Sequence, residues 1–229
     1  MSTVLIFDVD GTLYRGDDPY RYCAPAICRN WTRDHRVRYL QNVDAYLGRS
    51  IRVSVEDPWE ALVDLARTYD PNRSASQEIF LETRKFMVSD ACPLEVPNGL
   101  RAFLKEVSGQ VVLGCASNSP RDSTWALLRR LGLVDYFDLV VPEAKKPDGL
   151  MAAAEQIAGQ SVTPGDTLSI GDNYRNDIAP AVRAGWDTAY IHAYGGERRP
   201  CTVQGQTVEE LLPFLHRWVQ TRKGRDNHS

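Results

Sequence analysis

A chain of 229 residues that is 43% hydrophobic and 25% charged has apolar material for one good core and a smaller accessory domain. Its net charge of −3 leaves no basic excess for a nucleic-acid polymer, and no apolar run approaches the ~18 residues of a membrane span. The N-terminal apolar stretch is too short for a secretory signal and ends in acids. Five cysteines, Cys23, Cys28, Cys92, Cys115 and Cys201, are odd in number and scattered. That usage suits a reduced cytoplasmic protein rather than a disulfide framework. Cys23 and Cys28 lack the second pair that a zinc site needs.

Val4-Leu5-Ile6-Phe7 reads as a short buried strand, closed by a turn signal at Gly11. From Tyr14 to Ser89 the pattern is helical, without strand alternation. Faint helical patterns lie around Ala24–Asp34 and Arg38–Leu47. Asp57-Pro58-Trp59-Glu60 is a helix start, with an Asp cap, Pro at the first position and Glu three residues after the cap. Ser74-Ala75-Ser76-Gln77 opens another helix, with Ile79, Phe80, Thr83, Phe86 and Met87 along it. After Pro97, strand and helix alternate. Leu100, Phe103, Leu104 and Val107 mark a helix, Val111–Ala116 a strand, and Ser119-Pro120 the start of a helix that Gly132 stops. Leu139–Val141 is a strand, Leu150–Ala158 a helix, Thr167–Ile170 a strand, Ile178–Ala184 a helix and Thr188–His192 a strand. A capping box, Thr207-Val208-Glu209-Glu210, opens a last helix that runs to about Gln220, and Arg222–Ser229 is a polar tail.

Alternating strand and helix implies a parallel sheet with helices on both faces. The first strand belongs to that sheet, so the helical stretch is an insertion. The expected division is residues 1–14 plus 97–229 as an α/β, Rossmann-like core, and 15–96 as an all-helical domain above it. The polar residues just beyond each strand then fall on one sheet edge, where open α/β folds bind ligands. They are Asp8 and Asp10, Ser117 and Asn118, Lys145 and Lys146, and Asp172 with Asp177. A core strand has no packing reason to end in two acids. Several carboxylates with a lysine and a hydroxyl suit a hard cation and an anion together, and Mg²⁺ shared with a phosphate is such a pair.

In this arrangement the chain resembles the haloacid dehalogenase superfamily over nearly its whole length. Asp8-Val9-Asp10-Gly11-Thr12 is similar to the family's first motif, Ser117 to its second, Lys146 to its third, and Gly171-Asp172-Asn173-Tyr174-Arg175-Asn176-Asp177 to its fourth. The helical insertion resembles the family's C1 cap. Gly149 departs from the pattern, standing where many relatives have a second proline. Lys146 is preferred over Lys145 because it directly precedes Pro147-Asp148.

The resemblance implies a Mg²⁺-dependent phosphatase acting on a small-molecule phosphate monoester through an aspartyl-phosphate. Asp8 would be the nucleophile and Asp10 the general acid and base. Ser117, Asn118 and Lys146, with Asp8, would surround the phosphoryl group. Asp8, the Asp10 carbonyl and Asp172 would hold the metal, with Asp177 acting through water or by orienting the others. A phosphomutase would share every motif. A dehalogenase has no use for Asp10, and a non-catalytic relative would have lost a motif residue, whereas none is lost here. The substrate is expected to be a nucleotide or a sugar phosphate. Arg21, Arg49, Arg52, Arg84 and Lys85 are candidates for a second anionic group, and Tyr20, Tyr22 and Tyr39 for stacking. The crossings near Tyr14–Asp18 and Ser89–Pro97 are expected to hinge a lid.

Overall fold

The computed structural model describes residues 3–55, 57–71, 76–194 and 198–226. It divides into two compact units, one of Met1–Arg15, Glu95–Ala193 and Glu197–Ser229, the other of Gly16–Leu94 and Tyr194–Gly196.

In the first unit, β1 (Val4–Phe7) is buried along its whole length. After the second unit's helices, α1 (Asp18–Ile27), α2 (Arg33–Leu47), α3 (Pro58–Arg67) and α4 (Gln77–Met87), the chain continues with α5 (Leu100–Val107), β2 (Val112–Ala116), α6 (Arg121–Arg130), β3 (Leu139–Val141) and α7 (Leu150–Ala158). It ends with β4 (Thr167–Gly171), α8 (Ala179–Arg183), β5 (Asp187–Ile191), β6 (Val203–Gly205) and α9 (Val208–Asp226). Among the described residues the sheet has six strands in the order β3-β2-β1-β4-β5-β6, and every pairing is parallel. Chain direction along the sheet reverses between β1 and β4, which opens a crevice at their C-terminal ends.

Side chains alternate across the sheet. Val4 and Ile6 of β1 join Ala116, Leu150, Ala153, Ala154, Ile157 and Trp186 in one core, while the Phe7 ring meets Phe137 edge-on at 6.0 Å. The strand Val203–Gly205 lacks the apolar run that marks the others and was not expected. It is half-buried and pairs with β5. Asp187 at the start of β5 accepts hydrogen bonds from Trp218 Nε1 at 2.8 Å and Arg222 Nη2 at 2.6 Å through one oxygen, and from Thr202 Oγ1 at 3.1 Å through the other. These bonds pin α9 to that side of the sheet. The last helix runs past Gln220 to Asp226, and residues 227–229 of the expected polar tail lie outside the described residues.

The second unit has its own core, built from Tyr20, Cys23, Ile27, Cys28, Tyr39, Val43, Leu47, Leu62 and Ile79, with Trp31, Trp59 and Tyr194 packed on it. Asp57 caps α3 through Glu60 N at 2.9 Å, and Ser76 caps α4 through Ile79 N at 3.2 Å. Ser74 and Ala75 lie outside the described residues. The faint pattern at Ala24–Asp34 resolves differently: α1 begins earlier, with Pro19 in its first turn, and Thr32 caps α2. Tyr20 and Tyr39 are core residues, Tyr39 donating to Leu62 O at 3.1 Å, so neither is available to stack on a ligand. Tyr22 is stacked on Phe86 with ring centroids 4.1 Å apart. The expected α/β segment contributes Tyr194 to this unit, because its ring stacks on Tyr46 at 4.9 Å and its hydroxyl donates to Asp17 at 2.9 Å.

Replacing Asp187 by Ala is expected to lower unfolding free energy by about 2 kcal/mol, since it strips partners from the Trp218 N–H and the Arg222 guanidinium. Urea unfolding followed by tryptophan fluorescence checks this, and an unchanged midpoint would contradict the pinning role.

Candidate active site

Asp8 follows β1 and its backbone N–H donates to Ile170 O at 2.8 Å, so the residue is fixed between β1 and β4. Lys146 lies in the loop after β3. Its Nζ donates to Asp8 Oδ1 at 2.6 Å and to Asp177 Oδ1 at 2.6 Å. The lysine and Asp177 side chains are each 3% exposed and Asp8's is 11% exposed, so the three form a buried charge cluster. Lys145 is exposed and in the left-handed region, φ 55°. Of the two lysines, Lys146 is the one that reaches the carboxylates.

Carboxylate oxygens of Asp8, Asp172 and Asp177 lie within 4.8 Å of one another. Two glycines make that approach possible. A Cβ on Gly11, φ +73°, would stand 2.0 Å from Asp172 Oδ2, and one on Gly171 would stand 2.4 Å from Asp177 Oδ2. Asp177 sits in a wide turn, Tyr174–Ile178, where its second oxygen accepts from Asn173 N at 3.1 Å.

Burial pushes the Asp8 carboxyl up; Lys146 pulls it down, Asp177 and Asp10 push it up again, and the balance settles at about 7. Burial alone would lower the Lys146 ammonium, but Asp177 and Asp8 outweigh it and hold the group charged above its ordinary range. The cluster is thus short of positive charge. Hard oxygen donors this close, with excess negative charge and no sulfur or imidazole, fit Mg²⁺. Cys115, paired in register with Phe7, has its thiol pushed well up by burial and by Asp8, which removes it as a nucleophile.

Asp10 does not join the three clustered carboxylates. Its Oδ1 accepts from Tyr14 Oη at 2.8 Å and its Oδ2 from Ser119 Oγ at 2.8 Å. Ser119-Pro120 is the expected start of the next helix, but α6 starts at Arg121 without a side-chain cap, and the Ser119 hydroxyl serves Asp10. Ser117 is buried, and its Oγ accepts from Ser119 N at 3.0 Å. Asn118 was expected at the phosphate. Both ends of its amide hold the backbone of Lys146, Nδ2 donating to Lys146 O at 2.9 Å and Oδ1 accepting from Lys146 N at 2.7 Å. Gly149 also has a local reason. Its N–H donates to Lys145 O at 2.9 Å, and a Cβ there would lie 1.9 Å from Ala144 O, so neither proline nor alanine fits this loop.

Residues 3–185 match the family described as haloacid dehalogenase-like hydrolase. The chain belongs to this family. It is 31% identical over 221 residues to a phosphoglycolate phosphatase of Nitrosospira multiformis, covering 90% of this chain and 87% of that one. A phosphoglycolate phosphatase of Nitrosococcus oceani is 28% identical, with 84% of each chain covered. The fold is also that of L-2-haloacid dehalogenase from Xanthobacter autotrophicus, with TM-score 0.59, 18% identity and coverage of 94% and 99%. With phosphatases as its relatives in sequence, this family member is a hydrolase of phosphoric monoesters. Among the described residues no helix is long and apolar enough to cross a membrane.

The raised Asp8 carboxyl gives a signed expectation. A folded-state value near 7 against 3.8 in the unfolded chain means that Asp8 supports the metal-free fold at low pH. That support is lost as pH rises through about 7. In EDTA, stability is expected to fall from pH 5 to pH 8, and Asp8→Asn should flatten the slope. A Mg²⁺ ion held by the Asp8 carboxylate would compete with its proton, so any rise in melting temperature on adding Mg²⁺ is expected to be larger at pH 8 than at pH 6. Thermal unfolding with Mg²⁺ or EDTA checks both signs.

Proposed function

We propose that this chain is a Mg²⁺-dependent phosphatase that cleaves a small-molecule phosphate monoester through an aspartyl-phosphate on Asp8. The observation that carries the reading is the Lys146 ammonium held between Asp8 and Asp177 at 2.6 Å, beside a carboxylate cluster that suits a divalent cation. An attacking carboxylate and a phosphate dianion repel one another, so the reaction needs fixed positive charge next to both.

Asp8 attacks phosphorus in line with the ester oxygen, and a bond from its carboxylate to phosphorus forms as the bond to the ester oxygen breaks. The electron pair leaves on that oxygen, which takes a proton from the Asp10 carboxyl and departs as the alcohol. Water then attacks phosphorus and gives its proton to the Asp10 carboxylate. The bond to Asp8 breaks, its electron pair returns to the carboxylate, and inorganic phosphate is released. Lys146 keeps the Asp8 carboxylate aimed and adds positive charge next to the phosphoryl group. Ser117 and the backbone around Asn118 bind the phosphoryl oxygens, while the Asn118 amide fixes the Lys146 main chain.

Asp8, Asp172 and the Asp10 carbonyl would hold Mg²⁺, with Asp177 supporting them through Lys146 or a water. When bound, the cation supplies charge neutralisation between the nucleophile and the phosphate dianion. The helical unit would act as the cap that admits substrate and then excludes water. Relatives that are phosphoglycolate phosphatases over most of their length make 2-phosphoglycolate the first substrate to test, ahead of nucleoside monophosphates and sugar phosphates.

Phosphate release from that panel is expected to require Mg²⁺. Asp8→Asn should lower turnover by at least about a thousandfold, and Lys146→Met by about a hundredfold or more. Turnover that survives EDTA or Asp8→Asn would sink the mechanism.

A further inference from the structure

We propose that Tyr14 and Ser119 are positioning residues that together hold the Asp10 carboxylate for proton transfer. The proposal rests on the reading of Asp10 as general acid and base. Neither residue is one of the motif positions to which a role has been given above.

The geometry is complete on both sides of the carboxylate. Tyr14 Oη reaches Oδ1 at 2.8 Å and Ser119 Oγ reaches Oδ2 at 2.8 Å. The two hydroxyls come from different places, Tyr14 from the turn that leaves β1 and Ser119 from the segment after β2, 109 positions away from Asp10. Both side chains belong to buried residues, 3% and 6% exposed, so neither hydroxyl exchanges its partner freely with water. An aspartate has two soft side-chain torsions, and fixing each oxygen from a separate element removes both. Proton transfer demands this, because a general acid works only within hydrogen-bond reach of its target. Hydroxyls are also suited to the task. They donate to a carboxylate and accept from a carboxylic acid, so they can stay in place while the proton comes and goes.

Ser119 does more than touch Asp10. Its backbone N–H donates to Ser117 Oγ at 3.0 Å, and its carbonyl accepts from Glu143 N at 3.1 Å. The residue therefore ties the acid to the second-motif hydroxyl and to the loop that carries Lys146. Those links are made by the main chain, or from Ser117, and survive Ser119→Ala. Tyr14→Phe likewise removes only the hydroxyl.

The test is a series of aryl phosphates of increasing leaving-group pKa, from p-nitrophenyl phosphate to phenyl and p-methoxyphenyl phosphate, with kcat/KM measured at one pH in Mg²⁺. A good leaving group needs no proton in the first step and a poor one does. Tyr14→Phe and Ser119→Ala are expected to leave kcat/KM for p-nitrophenyl phosphate within about twofold. They should lower it about tenfold or more for p-methoxyphenyl phosphate, which steepens the leaving-group dependence. Ser119→Thr, which keeps the hydroxyl, should restore the wild-type slope. In an Asp10→Asn background neither substitution should steepen the slope further. An equal loss across the series, or the same steepening in the absence of Asp10, overturns the positioning role while phosphatase activity stands. A wild-type enzyme that releases no phosphate from any member, or an Asp8→Asn variant that still does, overturns the underlying reading and this proposal with it.

Discussion

The site depends on one buried cation with two anions. Lys146 stands between Asp8 and Asp177 with almost no water around it, and each partner would be costly to bury without the others. The surrounding backbone is arranged around that requirement. The Asn118 amide holds the lysine's peptide from both sides, and the tight loop at Gly149 fixes its approach. Gly11 and Gly171 leave room for Asp172 and Asp177 to come close. Burial, with Asp177 and Asp10 acting against Lys146, raises Asp8, and the excess of carboxylates over ammonium suits a divalent cation.

The strand order places this cluster. Asp8 follows β1, Asp172 follows β4, and these neighbouring strands flank the point where the strand order reverses. Ser117 and Ser119 follow β2, on the other side of β1. No single loop could bring these groups together. Parallel strands whose C-terminal ends share one edge do so without long excursions of the chain.

Much of this was legible in the residues. Apolar runs gave the five strands from β1 to β5, and the Asp57 and Ser76 caps announced two helices, because these signals are local. The polar set at the strand ends was legible for the same reason. The misses have a different origin. The strand Val203–Gly205 is short, polar and at an edge, so it carries no apolar run. The start of α1 was passed over because Asp17-Asp18-Pro19 reads equally as a turn. Ser119 carried a sound local signal for a cap, and a partner more than a hundred residues away claimed its hydroxyl instead. That the Asn118 amide bonds the Lys146 main chain was likewise not legible, because the two residues are far apart in sequence. Local chemistry marks which side chains are available, whereas tertiary contact decides what they hold.

The neck of the insertion has a further consequence. Arg15 N donates to Glu95 O and Glu95 N to Arg15 O, at 2.9 and 3.2 Å, and the Arg15 guanidinium also binds Glu95 and Glu209. The segment Gly16–Leu94 therefore leaves and rejoins the α/β unit beside this rung, which holds the two ends of that long loop together. The unit closed by this neck has an apolar core of its own, as the α/β unit does. Trp31 and Trp59 lie in the helical unit, and Trp125, Trp186 and Trp218 in the α/β unit. If the two units unfold at different temperatures, a single transition temperature averages two stabilities rather than measuring one.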